Sequence, residues 1–490
     1  MAIEHVYVLM LENRSFDHML GFSGITGTDA VTGQPTTVNG LPAGASNTFN
    51  GTVFPATAGA DLVMPTDPSH EFPAVVEQLC GQGATYPHGG PYPPITNSGF
   101  VASYVASGGK APAEIMKSYT AGQLPVLNAL AREFVVCDNW HASMPGPTWP
   151  NRMFVHAASS GGLDHSPTVV EIADWETING FPFPKGTIFD RLNAASIRRR
   201  LYGGDDFPMV AALKGIGLGD IRHYSLFASD LQQAGYADRY IFIEPSYDVL
   251  NKYRNGTSQH PLGDVTRGEA LIKQTYEAIR NSPVWNSSLL IITWDEHGGF
   301  YDHVHPAPAP PPADGAPATF NQSAFPFDLY GVRVPAVVVS PWIPRNLVDH
   351  RVYDHASIPA TLESLFGIAP LTERDRNAIP LNPLCTLAAP RTDTPATLPN
   401  PVAGSPTVRA APAELSAAAS VAAPDETIDH GNLPAVVHSA MQQDLALSPP
   451  AARQAIIARV RGLQTRADAM RYMAEVQQKI RPVRPHAAGK

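Results

Sequence analysis

The chain has 490 residues, with 34 lysines and arginines against 44 aspartates and glutamates and a net charge of −10. That length allows a large α/β domain with additions, or two domains. An acidic balance without basic runs argues against nucleic acid as a partner and leaves a local anion site open.

Three widely spaced cysteines, Cys80, Cys137 and Cys385, indicate neither a disulfide framework nor a CxxC metal site. No apolar run approaches the ~20 residues that cross a membrane, so no transmembrane segment is expected. The sequence passes from Met1-Ala2-Ile3-Glu4 straight into a strand, so no export leader is expected in it, and localisation stays open.

The first buried strand is His5 to Leu11, followed at once by Glu12-Asn13-Arg14-Ser15-Phe16-Asp17-His18. A polar cluster in that place falls at the carboxyl edge of a sheet, where open α/β sheets put their sites. Residues 23 to 61 are rich in Gly, Thr, Ala and Asn and read as a long surface loop with little regular structure. His70 stands just before a helix in which Val75, Val76 and Leu79 recur at helical spacing. Taken alone, such a histidine reads as structural.

Leu124 to Ala131 forms an amphipathic helix and Phe134 to Asp138 a strand. Pro150 fits the first turn of the next helix, which places Thr148 at or just before its cap. A hydroxyl there can cap the helix, or attack a phosphate held by the free N–H groups of the helix terminus. Further alternation follows, with helices over 187–195, 226–234 and 270–280 and strands over 197–202 and 239–244. This is the rhythm of βαβ units and a mainly parallel sheet covered on both faces.

The run Ser288 to Ile292 is a buried strand leading into Thr293-Trp294-Asp295-Glu296-His297-Gly298-Gly299. Adjacent carboxylates repel unless a cation, a proton or a basic group sits between them. A metal is the leading candidate, and a solvated turn is the alternative. The proline-rich stretch 306–312 reads as a stiff loop, Val334 to Val339 as a buried strand, and Ile358 to Phe366 as a helix preceded by His355. The main unit spans 1–387, an Ala/Pro-rich linker or draped tail 388–432, and a helical appendage 433–490.

The segments ENRSFDH (12–18), GPTWPNR (146–152), HP (260–261), DEHGGFYDH (295–303), VPAVVVSPW (334–342), DHAS (354–357) and LTERDRNA (371–378) follow one another in this order. Together they resemble the bacterial phosphoesterase family that contains non-haemolytic phospholipases C and acid phosphatases, within the alkaline phosphatase superfamily. The resemblance implies a three-layer α/β/α sandwich around a mainly parallel sheet. It also implies that Glu12, Asn13, Thr148, Asp295 and Glu296 gather round one divalent metal, with Thr148 the nucleophile that forms a phosphothreonine. Such an oxygen-only set suits Ca, Mg or Mn and leaves Zn open.

By the same resemblance His70 and His260 stand at the phosphate, while His355 and His303 either face it or brace the loops. Trp140, Trp149, Tyr247 and Phe300 are near enough in sequence to wall a choline-like head group, or else are core packing. The expected function is a metal-dependent phosphoric ester hydrolase of phospholipase C type, acting on a phosphate ester such as a phospholipid head group. The alternatives are an acid phosphatase and a non-catalytic metal- or anion-binding protein.

Overall fold

The apolar runs at the two ends of the motif series form neighbouring strands. His5–Leu11 and Ser288–Trp294 lie parallel, with His5 opposite Ser288 and Leu11 opposite Trp294, and every residue of both is buried. Glu12 and Asp295 therefore leave the same edge of the sheet side by side. The structure is a computed structural model and describes residues 3–174, 180–404, 423–429 and 431–483.

Across the sheet the order is Ile221–His223, Arg199–Gly203, Tyr240–Glu244, His5–Leu11, Ser288–Trp294, Ala336–Val339, Val135–Cys137, Leu347–Asp349, Thr26–Asp29 and Pro35–Thr37. All pairs are parallel except those on either side of Ala336–Val339 and the outermost pair, Thr26–Asp29 with Pro35–Thr37. The reversed strand leaves the two parallel blocks pointing the same way. Their carboxyl ends share one edge.

Register shows that both faces are covered. Tyr7 pairs with Ile241 and packs edge-on against Phe227 of the helix Phe227–Leu231. Tyr240 and Phe242 point to the other face, as alternation requires, where they meet Phe189 and His156 from the helices Ile188–Ala194 and Thr148–Ala157. The protein is thus a three-layer α/β/α sandwich on a mainly parallel sheet, as expected.

Two expectations need correction. The stretch 23–61 is not an irregular loop: Thr26–Asp29 and Pro35–Thr37 extend the sheet, and Ser46–Phe49 pairs with Thr52–Pro55 as a hairpin. These strands show no apolar alternation because they lie at the edge, where backbone pairing alone recruits them. The helix expected from 270 begins at Val265, where the Asp264 carboxylate accepts from Thr266 N at 2.9 Å. Asp264 is the capping signal.

The C-terminal helices Leu433–Leu447, Arg453–Arg461 and Arg466–Ile480 pack on one another, and the first also packs on the turn Met209–Ala212. Their apolar residues, among them Leu433, Val437, Met441 and Tyr472, join the same buried cluster as the sheet. Before them, the carbonyls of Thr394, Pro395 and Leu398 accept from Arg280, Tyr276 and Lys273, which ties this part of the proline-rich stretch to the helix Val265–Arg280. The remainder of the expected linker, 405–422 and residue 430, lies outside the described residues.

Candidate active site

The two strand ends are stitched together by two backbone pairs and the Asp295 carboxylate. Asn13 N donates to Asp295 Oδ1 at 3.0 Å, Arg14 N to the Glu296 carbonyl at 2.9 Å, and Asp295 N to the Leu11 carbonyl at 3.2 Å. Asn13 adopts a left-handed conformation at φ 55°, which asparagine tolerates better than most residues. Gly298 approaches so closely that a Cβ would lie 2.2 Å from the Asn13 carbonyl, at φ +64°. Only glycine fits there.

Thr148 opens the helix Thr148–Ala157 as its first residue, and Pro147 holds the cap position without a side-chain bond. The approach loop is fixed by Asn151, whose side chain accepts from Met144 N at 3.0 Å and donates to the Gly146 and Pro147 carbonyls. Thr148 Oγ1 donates to Asn13 Oδ1 at 3.3 Å and makes no capping bond. One turn on, Arg152 Nε donates to Asp295 Oδ2 at 2.8 Å and Nη2 to the Leu11 carbonyl at 3.0 Å. Its Nη1 is buried without a hydrogen-bond partner.

The electrostatics show surplus negative charge. Burial raises the Glu12 carboxyl well above its ordinary value, and neighbouring Asp295 raises it further. Asp295 is pushed up to about 6, mainly by burial, with Arg152 pulling against Glu296. Glu12 Oε2 and Glu296 Oε1 are both buried with no hydrogen-bond partner. Buried carboxylate oxygens are ordinarily satisfied, so two orphans in one oxygen-lined site fit a hard cation in that space.

Three histidines surround this centre. His70 Nε2 lies 3.3 Å from Asn13 Nδ2, and its Nδ1 lies 3.0 Å from the Pro68 carbonyl. Burial opposes its charge, but Glu296, Asp67 and Glu71 raise it to about 9. Because Asn13 Nδ2 is itself a donor, a charged His70 directs an unmatched N–H into the site. His260 Nδ1 accepts from Leu262 N at 3.3 Å, which leaves its Nε2 facing Asp67 Oδ2 at 3.6 Å. Burial, then His70 and Arg14, lower it well below the ordinary histidine value. Its ring lies flat on Tyr253, with centroids 3.4 Å apart.

His355 has both nitrogens engaged. Trp140 Nε1 donates to its Nδ1 at 3.2 Å, and its Nε2 donates to the Asp295 carbonyl at 2.6 Å. Burial lowers it to about 4, so it is a neutral brace under the strand end. His303 is also a brace: its Nδ1 and backbone N meet Asp17 Oδ2 at 2.7 Å.

Asp17, Asp302 and His303 bring ligand atoms within 4.8 Å of one another, which is metal-like spacing. Arg333 already balances that cluster, with Nη2 3.0 Å from Asp17 and Nε 2.9 Å from Asp302. Backbone N–H groups of Asp17 and Val304 take further Asp302 lone pairs. A cation there would have to displace a buried guanidinium.

The four aromatics named as head-group candidates are packing residues. Trp140 holds His355, Tyr247 donates to Glu244 at 2.7 Å, and Phe300 stacks on His18 at 3.7 Å. Trp149 is 5% exposed in the central core cluster. Sequence reasoning missed Arg152, although its spacing from Thr148 puts the two on one helix face. It also gave no role to Asp67 beside His260. Asn432, whose side-chain amide donates to Glu12 Oε1, carried no signal at all, being 420 residues away.

A phosphoester hydrolase of α/β/α architecture accounts for this arrangement, and the comparisons give its family. Residues 3–369 match the model of the Phosphoesterase family. Non-specific phospholipase C3 of Arabidopsis thaliana is 34% identical over 415 residues, covering 81% of this chain and 76% of that protein. Non-specific phospholipase C6 of the same plant is 37% identical over 420 residues, covering 81% and 75%. Phospholipase C B of Mycobacterium tuberculosis is 29% identical over 416 residues, covering 75% and 74%. The chain belongs to the Phosphoesterase family and is a hydrolase acting on phosphoric esters.

Proposed function

We propose that the protein is a metal-dependent phospholipase C working through a covalent phosphothreonine at Thr148. The observation that carries the reading is the pair of unpartnered carboxylate oxygens, Glu12 Oε2 and Glu296 Oε1, in the site where Thr148 presents a hydroxyl not used for capping. The choice of a lipid phosphodiester is supported by the names of the plant and mycobacterial relatives.

Glu12, Asn13, Thr148 and Glu296 would hold the ion, with Asp295 completing the set. When bound it supplies charge to a phosphoryl oxygen and lowers the pKa of the threonine hydroxyl. Thr148 Oγ1, its proton released to solvent, would attack phosphorus in line with the leaving alkoxide, the old P–O bond breaking as the new one forms. His70 and the open Nη1 of Arg152 offer N–H groups to the phosphoryl oxygens. The Asp67 carboxyl beside His260, pushed up to about 6 by burial, offers a proton to the leaving oxygen and recovers one from solvent. Water later attacks phosphorus: the bond to Thr148 Oγ1 breaks, one hydrogen of the water restores the hydroxyl, and the other stays on the released phosphate.

Rates on phosphatidylcholine, bis-nitrophenyl phosphate and nitrophenyl phosphate test the assignment. The lipid should win. A monoester preferred by a large factor makes the protein a phosphatase, and no turnover with any divalent ion favours the binding-protein alternative. Acid quench during turnover, followed by peptide mass spectrometry, should find phosphate on Thr148.

A further inference from the structure

The C-terminal helical segment reaches the active centre at Asn432. Asn432 immediately precedes the helix Leu433–Leu447 and is 3% exposed, and its side-chain Nδ2 donates to Glu12 Oε1. The other Glu12 oxygen, Oε2, is left buried and unpartnered. A carboxylate pinned at one oxygen presents the other in a fixed direction. Metal-ligating carboxylates are commonly held this way, and their outer partners matter for affinity.

A second contact fixes Asn432 itself. Its backbone N donates to the Tyr253 hydroxyl at 3.1 Å, and Tyr253 is the ring stacked on His260. Gly431, at φ +53°, lets the chain pass so near that a Cβ would lie 2.6 Å from that hydroxyl. The same segment walls a cleft of about 980 Å³ beside His260, lined by Asp67, Lys252, Tyr253, Leu262, Gly431 and Arg466. Arg466 Nη2 in turn donates to the Val249 carbonyl. One stretch, 431–466, therefore touches the Glu12 carboxylate, the ring that backs His260 and the cleft beside it.

We propose that Asn432 is a positioning residue for Glu12, so that the C-terminal segment completes the cation site instead of decorating the domain. Tyr253 is its anchor: the hydroxyl holds the backbone of Asn432 while the ring keeps His260 in plane. This rests on the metal reading of the site and adds to it a residue from outside the segments that carry the family motifs. The ligand concerned is a divalent cation. The role is orientation of one of its carboxylates.

The test is calorimetric titration of metal-free full-length protein with Mg²⁺, Ca²⁺, Mn²⁺ and Zn²⁺, alongside thermal unfolding. For the ion that wild type binds most tightly, Asn432→Ala should raise Kd by about 10- to 100-fold. Asn432→Gln keeps an amide donor on a longer arm and should recover part of that loss. Tyr253→Phe keeps the ring on His260, removes only the anchoring hydroxyl, and should raise Kd by a smaller factor in the same direction. It also stands in if Asn432→Ala fails to fold.

Wild-type-like Kd values in both Asn432→Ala and Tyr253→Phe, whatever their melting temperatures, would overturn the proposal and leave the metal reading intact. If wild type binds none of the four ions, the metal reading fails and this proposal falls with it.

Discussion

Arg152 and Asp295 form a buried ion pair, Nε to Oδ2 at 2.8 Å, and it joins the helix that carries Thr148 to the strand end that carries the carboxylates. Both partners are all but excluded from water, with side chains 6% and 0% exposed. Removing one partner of such a pair leaves an uncompensated charge and costs about 3–5 kcal/mol. Arg152→Met should therefore lower the denaturant midpoint clearly and reduce turnover at least tenfold. Arg152→Lys should keep the charge but lose the fork that also reaches the Leu11 carbonyl, so it should recover stability better than rate. Equal recovery of both would count against a role for the guanidinium at phosphate.

Thr148 makes no capping bond, so its replacement should separate stability from catalysis. Thr148→Ala should change stability by less than the ~1 kcal/mol of a lost cap and cut turnover by roughly 10³-fold or more. Serine keeps the hydroxyl without the methyl that restricts its rotamer and should rescue in part. An alanine variant retaining a tenth of the wild-type rate would point to direct attack by water.

Chelation should abolish turnover and leave the far-UV spectrum unchanged, because the sheet and its two helix layers do not depend on the ion. Elemental analysis distinguishes the two acidic clusters. Glu296→Gln should lower metal content, since Oε1 is one of the orphaned oxygens. Asp302→Asn should leave it at the wild-type level, because Arg333 fills that cluster. It should instead cost stability, as one carboxylate of a buried pair is lost.

A pH-dependent contribution to stability comes from Glu269, on the helix Val265–Arg280. Its oxygens accept from Val126 N at 2.7 Å and Leu127 N at 2.9 Å, at the start of the helix Pro125–Glu133. Burial raises its carboxyl from 4.5 to about 7 despite those bonds. The folded state therefore holds a proton that the unfolded chain has released. The contribution is fully present below pH ~4.5, declines as pH rises to ~7, and amounts to about 3 kcal/mol at most. Unfolding by urea at pH 5 and pH 8 should show wild type losing more stability over that interval than Glu269→Gln.

The buried strands were legible because parallel strands covered on both faces become continuous apolar runs. His5–Leu11, Tyr240–Glu244 and Ser288–Trp294 all carry that signal, and the polar residues directly after two of them had to share one edge. The edge strands at 26–37 carry no such signal, since they are held by backbone bonds. Among the candidate residues, sequence named Glu12, Asn13, Thr148, Asp295 and Glu296; the structure joins Asn13 to Asp295 and to Thr148 by hydrogen bonds and sets Glu12 beside Asp295.

Sequence alone did not decide what each histidine touches. His70 opens toward the centre whereas His355 spends both nitrogens on Trp140 and the Asp295 carbonyl. Nor could spacing reveal Asn432, because a contact between residues 12 and 432 is a property of the folded chain only.

The reversed strand Ala336–Val339 pairs Ala336 with Thr293, so the chain leaves the sheet and rejoins it at one rim. The chain between them makes one long excursion from the sheet, and the Asp302–Arg333 ion pair at 2.9 Å draws its two feet together. Between those feet Phe325, Phe327 and Leu329 pack into a buried cluster with Phe72 and Phe154, and only the tip at 313–319 is largely exposed. The barrel of a lens stays fixed while its front element is swapped. In this fold the front element is that exposed tip, whose length can vary while the strands and the residues at their ends stay as they are.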